Sequence, residues 1–139
     1  MTADPRYPLG KFEMPANVEG GWTLRQTVHH VADSHVNAYL RLRFALTENQ
    51  PTIQPYDESA WAELHDARTA PAELSLTLLE AIHDRWTLLL RSLPDSAFAR
   101  TLIHPEHGAR SLDWLLFIYA WHGPHHTAHI TSLRRQKNW

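Results

Sequence analysis

Three long segments of the chain repeat apolar residues at helical spacing, and this periodicity constrains the fold more than any other feature. The segments cover residues 23–47, 71–92 and about 111–136, and prolines or glycines lie between them. No run of alternating apolar and polar residues bounded by turns indicates a sheet. The sequence therefore predicts an all-α fold, a bundle of three long helices and a short one joined by irregular loops.

The ends of these helices carry recognisable start signals. Thr23 and Gln26 have capping-box spacing, Pro71 suits the first turn of a helix, and Ser111 can cap the third helix. A short helix is expected over residues 58–64, whereas residues 1–21 are interrupted often enough by proline and glycine to predict an extended arm. In the first helix the periodicity predicts a core stripe of Leu24, Val28, Val31, Ala38, Leu42 and Leu46.

Length and composition narrow the functional classes. A chain of 139 residues is expected to form one domain, residues 1–139, and its net charge of −2 gives no basic surface for nucleic acid. The longest apolar run, 114–121, is far shorter than the roughly 20 residues of a membrane span, and no leader peptide is recognisable. We therefore expect a cytoplasmic protein that binds neither nucleic acid nor membrane and acts on a small molecule. Cysteine is absent, so any metal ion must be held by His, Asp or Glu.

Four of the 11 histidines lie within residues 122–129, inside the third predicted helix. His122 and His126 are one turn apart and project from the apolar side of that helix, as does His129, whereas His125 falls toward the edge of the apolar stripe. Two histidines at this spacing can grip one metal ion. Pro124 lies between them, where it removes an amide donor and typically costs about 3 kcal/mol. The cluster therefore predicts part of a metal site.

A third ligand must come from another helix. His29 and His30 are the candidates in the first helix, and periodicity does not choose between them. Three neutral imidazoles with one open coordination position suit zinc, and nickel is a second option. The alternative interpretation is that these histidines are hydrogen-bonded core residues. That structural role is the one we assign to His35, His65, His83 and His107.

Several separated motifs, in order along residues 20–139, resemble the YfiT-type branch of the DinB superfamily. These motifs occupy residues 20–35, 46–48, 55–58, 104–106 and 119–130. The resemblance implies a four-helix bundle with a three-histidine metal site, in a metal-dependent hydrolase or thiol S-transferase. Carried over by position, it implies His30, His122 and His126 as the ligands.

The resemblance also implies two possible chemistries for the bound metal. Zinc would either activate a water molecule for hydrolysis or bind a low-molecular-weight thiol for transfer to an electrophile. Asp33 and His129 are the candidate catalytic residues for proton transfer, and the sequence does not select one. The rival hypothesis is a non-catalytic, metal-stabilised dimeric binding module, or an inactive remnant that binds metal without turnover.

The sequence departs from the family pattern near its start. Members usually have a long helix between a Tyr-Pro-Leu-Gly motif and the Gly-Gly-Trp motif, but here only residues 11–19 separate residues 7–10 from residues 20–22. A bundle without that helix would leave an apolar groove open. We therefore expect a homodimer in which a partner helix covers the groove, unless the N-terminal arm covers it.

Overall fold

The computed structural model describes residues 21–137, and this part of the chain is mostly helical. Residues 1–20 of the predicted arm lie outside the described residues. In chain order the elements are α1 (Leu24–Thr47), α2 (Glu58–Ala62), α3 (His65–Thr69), α4 (Ala72–Ser92), a 3₁₀ turn (Asp95–Ala99), β1 (Thr101–His104), β2 (Gly108–Ser111) and α5 (Leu112–Lys137).

The three long helices begin where their start signals predict. Thr23 is the N-cap of α1, and both bonds of the capping box form: the Gln26 amide donates to Thr23 Oγ1 at 3.2 Å, and the Thr23 amide donates to Gln26 Oε1 at 2.9 Å. Pro71 directly precedes α4, and the Ser111 hydroxyl accepts from the Trp114 amide at the start of α5. The predicted helical fold class is therefore confirmed.

A short antiparallel hairpin, β1 with β2, was not expected from the sequence. Each strand has only four residues, too few to show the alternation that identifies a strand. The turn ends at Gly108, which has a positive φ of 70° that glycine adopts without strain. The loop after α1 joins the hairpin, because the Ile53 amide donates to the Ile103 carbonyl at 3.0 Å. The hairpin thus fixes the connection between α4 and α5.

The apolar core surrounds the C-terminal half of α1, which packs against both α4 and α5. Leu42, Leu102 and Leu112 have no exposed surface. The wider core cluster consists of Ala38, Tyr39, Leu42, Ala45, Ile53, Trp86, Leu102, Leu112 and Leu115. Burial of these side chains supplies the main driving force that holds the helices together.

The N-terminal half of α1 differs from the predicted core stripe. Leu24, Val28 and Val31 are only half-buried. The buried side chains of this half are instead mostly polar, namely Gln26, Thr27, His29, His30, Ala32, Ser34 and His35. The predicted stripe was wrong here because the interior at this end of the bundle is polar. The residues that are buried are therefore those whose side chains can form hydrogen bonds there, rather than the apolar ones.

Within residues 21–137, every helix is too short or too polar to cross a membrane.

Candidate metal centre

Three buried histidines from two helices meet at the polar end of the bundle. His30 lies on α1, and His122 and His126 lie one turn apart on α5. One ring nitrogen from each lies within 4.8 Å of the others. Their exposed fractions are 4%, 8% and 2%, so the group is shielded from bulk solvent. The structure therefore brings together three histidines that the sequence predicts as metal ligands on separate helices.

The helix α5 supplies two of these histidines because it remains continuous through Pro124. Residues four positions apart on a helix lie on one face, so His122 and His126 point into the same space. Their Nε2 atoms are 3.0 Å apart. His30 completes the group from across the bundle, with its ring centroid 5.5 Å from that of His122 and 5.0 Å from that of His126.

Burial keeps all three imidazoles neutral at pH 7. Desolvation lowers the pKa of His30 to about 4. Desolvation, as the largest cause, and the neighbouring histidines together lower the pKa of His126 to about 3 and that of His122 to about 2. A neutral imidazole has a free lone pair on one nitrogen, which is the form that binds a metal ion.

The donor set and its spacing fit a divalent metal ion. Without an ion, the contact between the Nε2 atoms of His122 and His126 requires that one ring donate a proton to the other. With an ion, both atoms can present lone pairs. Two nitrogen ligands with bonds of about 2.0–2.1 Å to one zinc ion lie about 3.3 Å apart at the tetrahedral angle, close to the 3.0 Å observed. These residues can therefore hold a metal ion with little rearrangement.

His29, the other candidate on α1, has a different role. Its Nδ1 is 2.7 Å from the Ser75 hydroxyl, and its Nε2 is 3.0 Å from the Ala70 carbonyl. Since a carbonyl only accepts, Nε2 carries the proton and Nδ1 accepts from Ser75. Both ring nitrogens are thus occupied, and His29 ties α1 to the start of α4 rather than joining the group.

The two candidate catalytic residues have different surroundings. The ring of His129 is 6.1 Å from that of His126 and 4.3 Å from that of His125, at the edge of the site. The half-buried carboxyl of Asp33 has its pKa raised by burial and by Asp66, and lowered in turn by His29. The charged groups that act on Asp33 are thus Asp66, on α3, and His29.

The sequence interpretation missed further polar residues around the site. His35 is 4% exposed, and its Nε2 lies 3.2 Å from Nδ1 of His122, while its Nδ1 lies 2.7 Å from Nε2 of His83. Ser34 Oγ and Tyr119 Oη are 3.2 Å apart. These contacts join residues 48 to 87 positions apart in the chain, so no local pattern could have identified them.

A helical bundle in which three histidines converge from two helices is the class of protein in which side chains of facing helices can build a metal site in the core. A family model of the DinB superfamily matches residues 6–130. This match covers most of the chain, and the chain belongs to the DinB superfamily.

Named relatives share the sequence over most of its length. A protein of Oceanobacillus iheyensis named "Putative metal-dependent hydrolase" is 57% identical over 120 residues, which are 86% of this chain and 69% of the relative. A Bacillus cereus protein with the same name is 55% identical with the same coverage.

A solved structure matches the fold as well. YfiT from Bacillus subtilis, described as "a probable metal-dependent hydrolase with an unusual four-helix bundle topology", superposes with a TM-score of 0.84 at 52% identity. The match covers 86% of this chain and 69% of YfiT. The resemblance seen in the sequence motifs is therefore confirmed at the level of the fold.

Proposed function

We propose that the protein is a metal-dependent enzyme, a hydrolase or a thiol S-transferase, whose metal ion is held by His30, His122 and His126. The observation that supports it most strongly is the convergence of three neutral, buried imidazoles within 4.8 Å of one another. The names of the relatives agree with a metal-dependent hydrolase. Zinc is the metal we expect, with nickel as the second option, because both accept three imidazoles and leave a position for another ligand.

The metal would supply Lewis acidity, which lowers the pKa of a bound water molecule to about 7 or stabilises a thiol as its thiolate. The protein residues have separate tasks. Neutral imidazoles leave the positive charge of the ion uncompensated, and burial of the three rings keeps bulk water away from them. The paired hydroxyls of Ser34 and Tyr119 lie one turn from His30 and His122 respectively, where they can orient a small polar substrate.

Hydrolysis additionally requires a residue that accepts a proton. Asp33 has a pKa raised by burial, which brings a carboxylate closer to the pKa of an effective general base. His129 lies next to His126. Loss of turnover in Asp33→Asn or in His129→Gln, with metal content retained, would identify which of the two takes this role.

The two chemistries differ in whether turnover requires an added thiol. Release of 4-nitrophenol from 4-nitrophenyl acetate by the protein and metal alone would indicate hydrolysis. In thiol transfer, the thiolate sulfur attacks the carbon of an electrophile such as monochlorobimane and chloride leaves, so the fluorescent product forms only when cysteine or another small thiol is present.

The main test of the metal site is elemental analysis of the purified protein beside three variants, His30→Ala, His122→Ala and His126→Ala. We expect each variant to lose most of its bound zinc or nickel, because two imidazoles bind far more weakly than three. His125→Ala is the matched control, since it removes a histidine from the same helix but outside the group, and it should retain the metal. Full occupancy in all three variants would refute the site.

The rival function is a metal-stabilised binding module without turnover. In that case removal of the metal would lower the melting temperature, but the ion would have no exchangeable position for substrate. We also propose that two copies of the chain associate, which sedimentation would check, and that the protein works in the cytoplasm, which cell fractionation would check.

A further inference from the structure

A line of three imidazoles runs from the proposed metal site to the surface of the bundle. His122 on α5, His35 on α1 and His83 on α4 each belong to a different helix. Nδ1 of His122 lies 3.2 Å from Nε2 of His35, and Nδ1 of His35 lies 2.7 Å from Nε2 of His83. His122 and His35 are buried, whereas His83 is exposed.

Neutral imidazoles in such a line must all donate in the same direction. His122 and His35 are both buried, and burial favours the neutral imidazole, which carries a single N–H. In one direction Nδ1 of His122 donates to His35, and Nδ1 of His35 donates to His83. In the other direction Nε2 of His83 donates to His35, and Nε2 of His35 donates to His122.

The direction decides whether His122 can bind a metal ion. When Nδ1 of His122 donates to His35, its Nε2 has a free lone pair, and this is the atom that lies 3.0 Å from Nε2 of His126. In the opposite direction Nε2 of His122 carries the proton and cannot be a ligand. A partner that fixes the tautomer of His122 is therefore a requirement of the site.

The surroundings of His35 suit it to this task. Its ring packs edge-on against Tyr119 with centroids 5.2 Å apart, and near Trp86 at 6.4 Å. Because the ring is 4% exposed and enclosed by aromatic side chains, water cannot easily replace it. His83, in contrast, is exposed, and water can take over its bond to His35.

We propose that His35 is a positioning residue that holds His122 in the Nδ1–H tautomer and thereby presents Nε2 of His122 to the metal, with His83 fixing His35 in turn. The proposal rests on the proposed metal-binding function and assigns a role to two histidines outside the ligand set. Hydrogen-bond partners of metal-bound histidines typically change metal affinity by about 10- to 100-fold.

The test measures zinc affinity, by competition with a chromogenic chelator, in the wild type and four variants. We expect His35→Leu, which removes the acceptor at nearly constant volume, to weaken zinc binding by about 10- to 100-fold. His35→Gln should recover most of this loss, because its amide oxygen can accept from Nδ1 of His122. His83→Ala should have a smaller effect, and His65→Ala, which removes an exposed histidine on α3, should have none.

Zinc binding by His35→Leu with wild-type affinity, or equal losses in His35→Leu and His35→Gln, would overturn the proposal. If the wild type itself bound no zinc, the proposed metal function would fail instead. A second measurement tests the proposal even if the wild type binds no zinc or the variants do not fold. Long-range ¹H–¹⁵N correlation spectra of the metal-free wild type at pH 7 should show His122 as the Nδ1–H tautomer. The Nε2–H tautomer would contradict the proposal.

Discussion

At the scale of single residues, the unusual property of this protein is that four neutral imidazoles are buried together. His30, His35, His122 and His126 all have pKa values far below the usual value for histidine, with burial as the largest cause. Buried polar groups of this kind are tolerated only when they are hydrogen-bonded or coordinate an ion. The site therefore makes the stability of the metal-free protein sensitive to acid.

We predict that the metal-free protein loses stability as the pH falls from 7 to 5.5. In the unfolded chain these histidines take up protons below pH 6.5, whereas the folded protein resists protonation down to the lowered values of about 2 to 4. The unfolded state therefore binds more protons, and the free energy of unfolding should fall by roughly 1 kcal/mol per fully neutral histidine over this range. Urea unfolding with a chelator present, at both pH values, measures this change.

Two variants control for this prediction. His126→Gln removes one of the four groups and should show a smaller difference between the two pH values. His65→Ala removes an exposed histidine and should show the same difference as the wild type. Equal stability of the wild type at pH 7 and pH 5.5 would contradict the prediction.

At the scale of elements, α1 organises the molecule because its two halves bury different chemistry. Its N-terminal half carries His30 and His35, and its C-terminal half carries Leu42 and Ala45 in the apolar core. Its start is stabilised locally by the capping box of Thr23 and Gln26. Its end is stabilised by a residue 52 positions away in sequence, since Arg100 Nη2 donates to the Glu48 carbonyl at 2.9 Å.

We predict that Arg100→Ala lowers the free energy of unfolding by about 1 kcal/mol. The side chain also donates from Nε to the Ala45 carbonyl at 2.6 Å, so its positive charge lies at the negative end of the helix dipole. Arg100→Lys should recover only part of the loss, because an ammonium group cannot reproduce the two-pronged geometry. Urea unfolding gives the values, with Arg91→Ala, an exposed arginine on α4, as the control. An effect of Arg100→Ala no larger than that control would show that this contact is not stabilising.

At the scale of the whole molecule, α4 exposes a row of leucines. Leu74 is 63% exposed, Leu78 43% and Leu88 70%, and their spacing places all three on one face of the helix. A row of large apolar side chains on one helix face is the pattern by which helices of separate chains associate. This surface is suited to the homodimer predicted from the sequence, in which a second copy of the chain would cover these leucines.

We predict that the wild type sediments as a dimer at micromolar concentration, and that the double variant Leu74→Glu, Leu88→Glu sediments as a monomer, because burying two carboxylates in an apolar interface is unfavourable. Leu76→Glu is the matched control, since Leu76 is 53% exposed but lies on another face of α4, and this variant should remain dimeric. A stable wild-type monomer would refute the dimer and leave the N-terminal arm as the cover for this face.

The sequence by itself determined the helices and two of the proposed ligands. Capping signals and periodicity are local properties, so α1, α4 and α5 begin where Thr23, Pro71 and Ser111 predict. The spacing of His122 and His126 also fixes their common direction, because one helical turn separates them.

Only the tertiary structure decided the rest, because it depends on contacts between distant parts of the chain. Periodicity left His29 and His30 equivalent, and the family resemblance favoured His30. In the packed structure the His29 ring is hydrogen-bonded to the Ser75 hydroxyl and the Ala70 carbonyl, whereas His30 lies beside His122 and His126. The hairpin was missed because four-residue strands carry too little pattern. His35 was assigned a purely structural role because its contact with His122 exists only when α1 packs on α5.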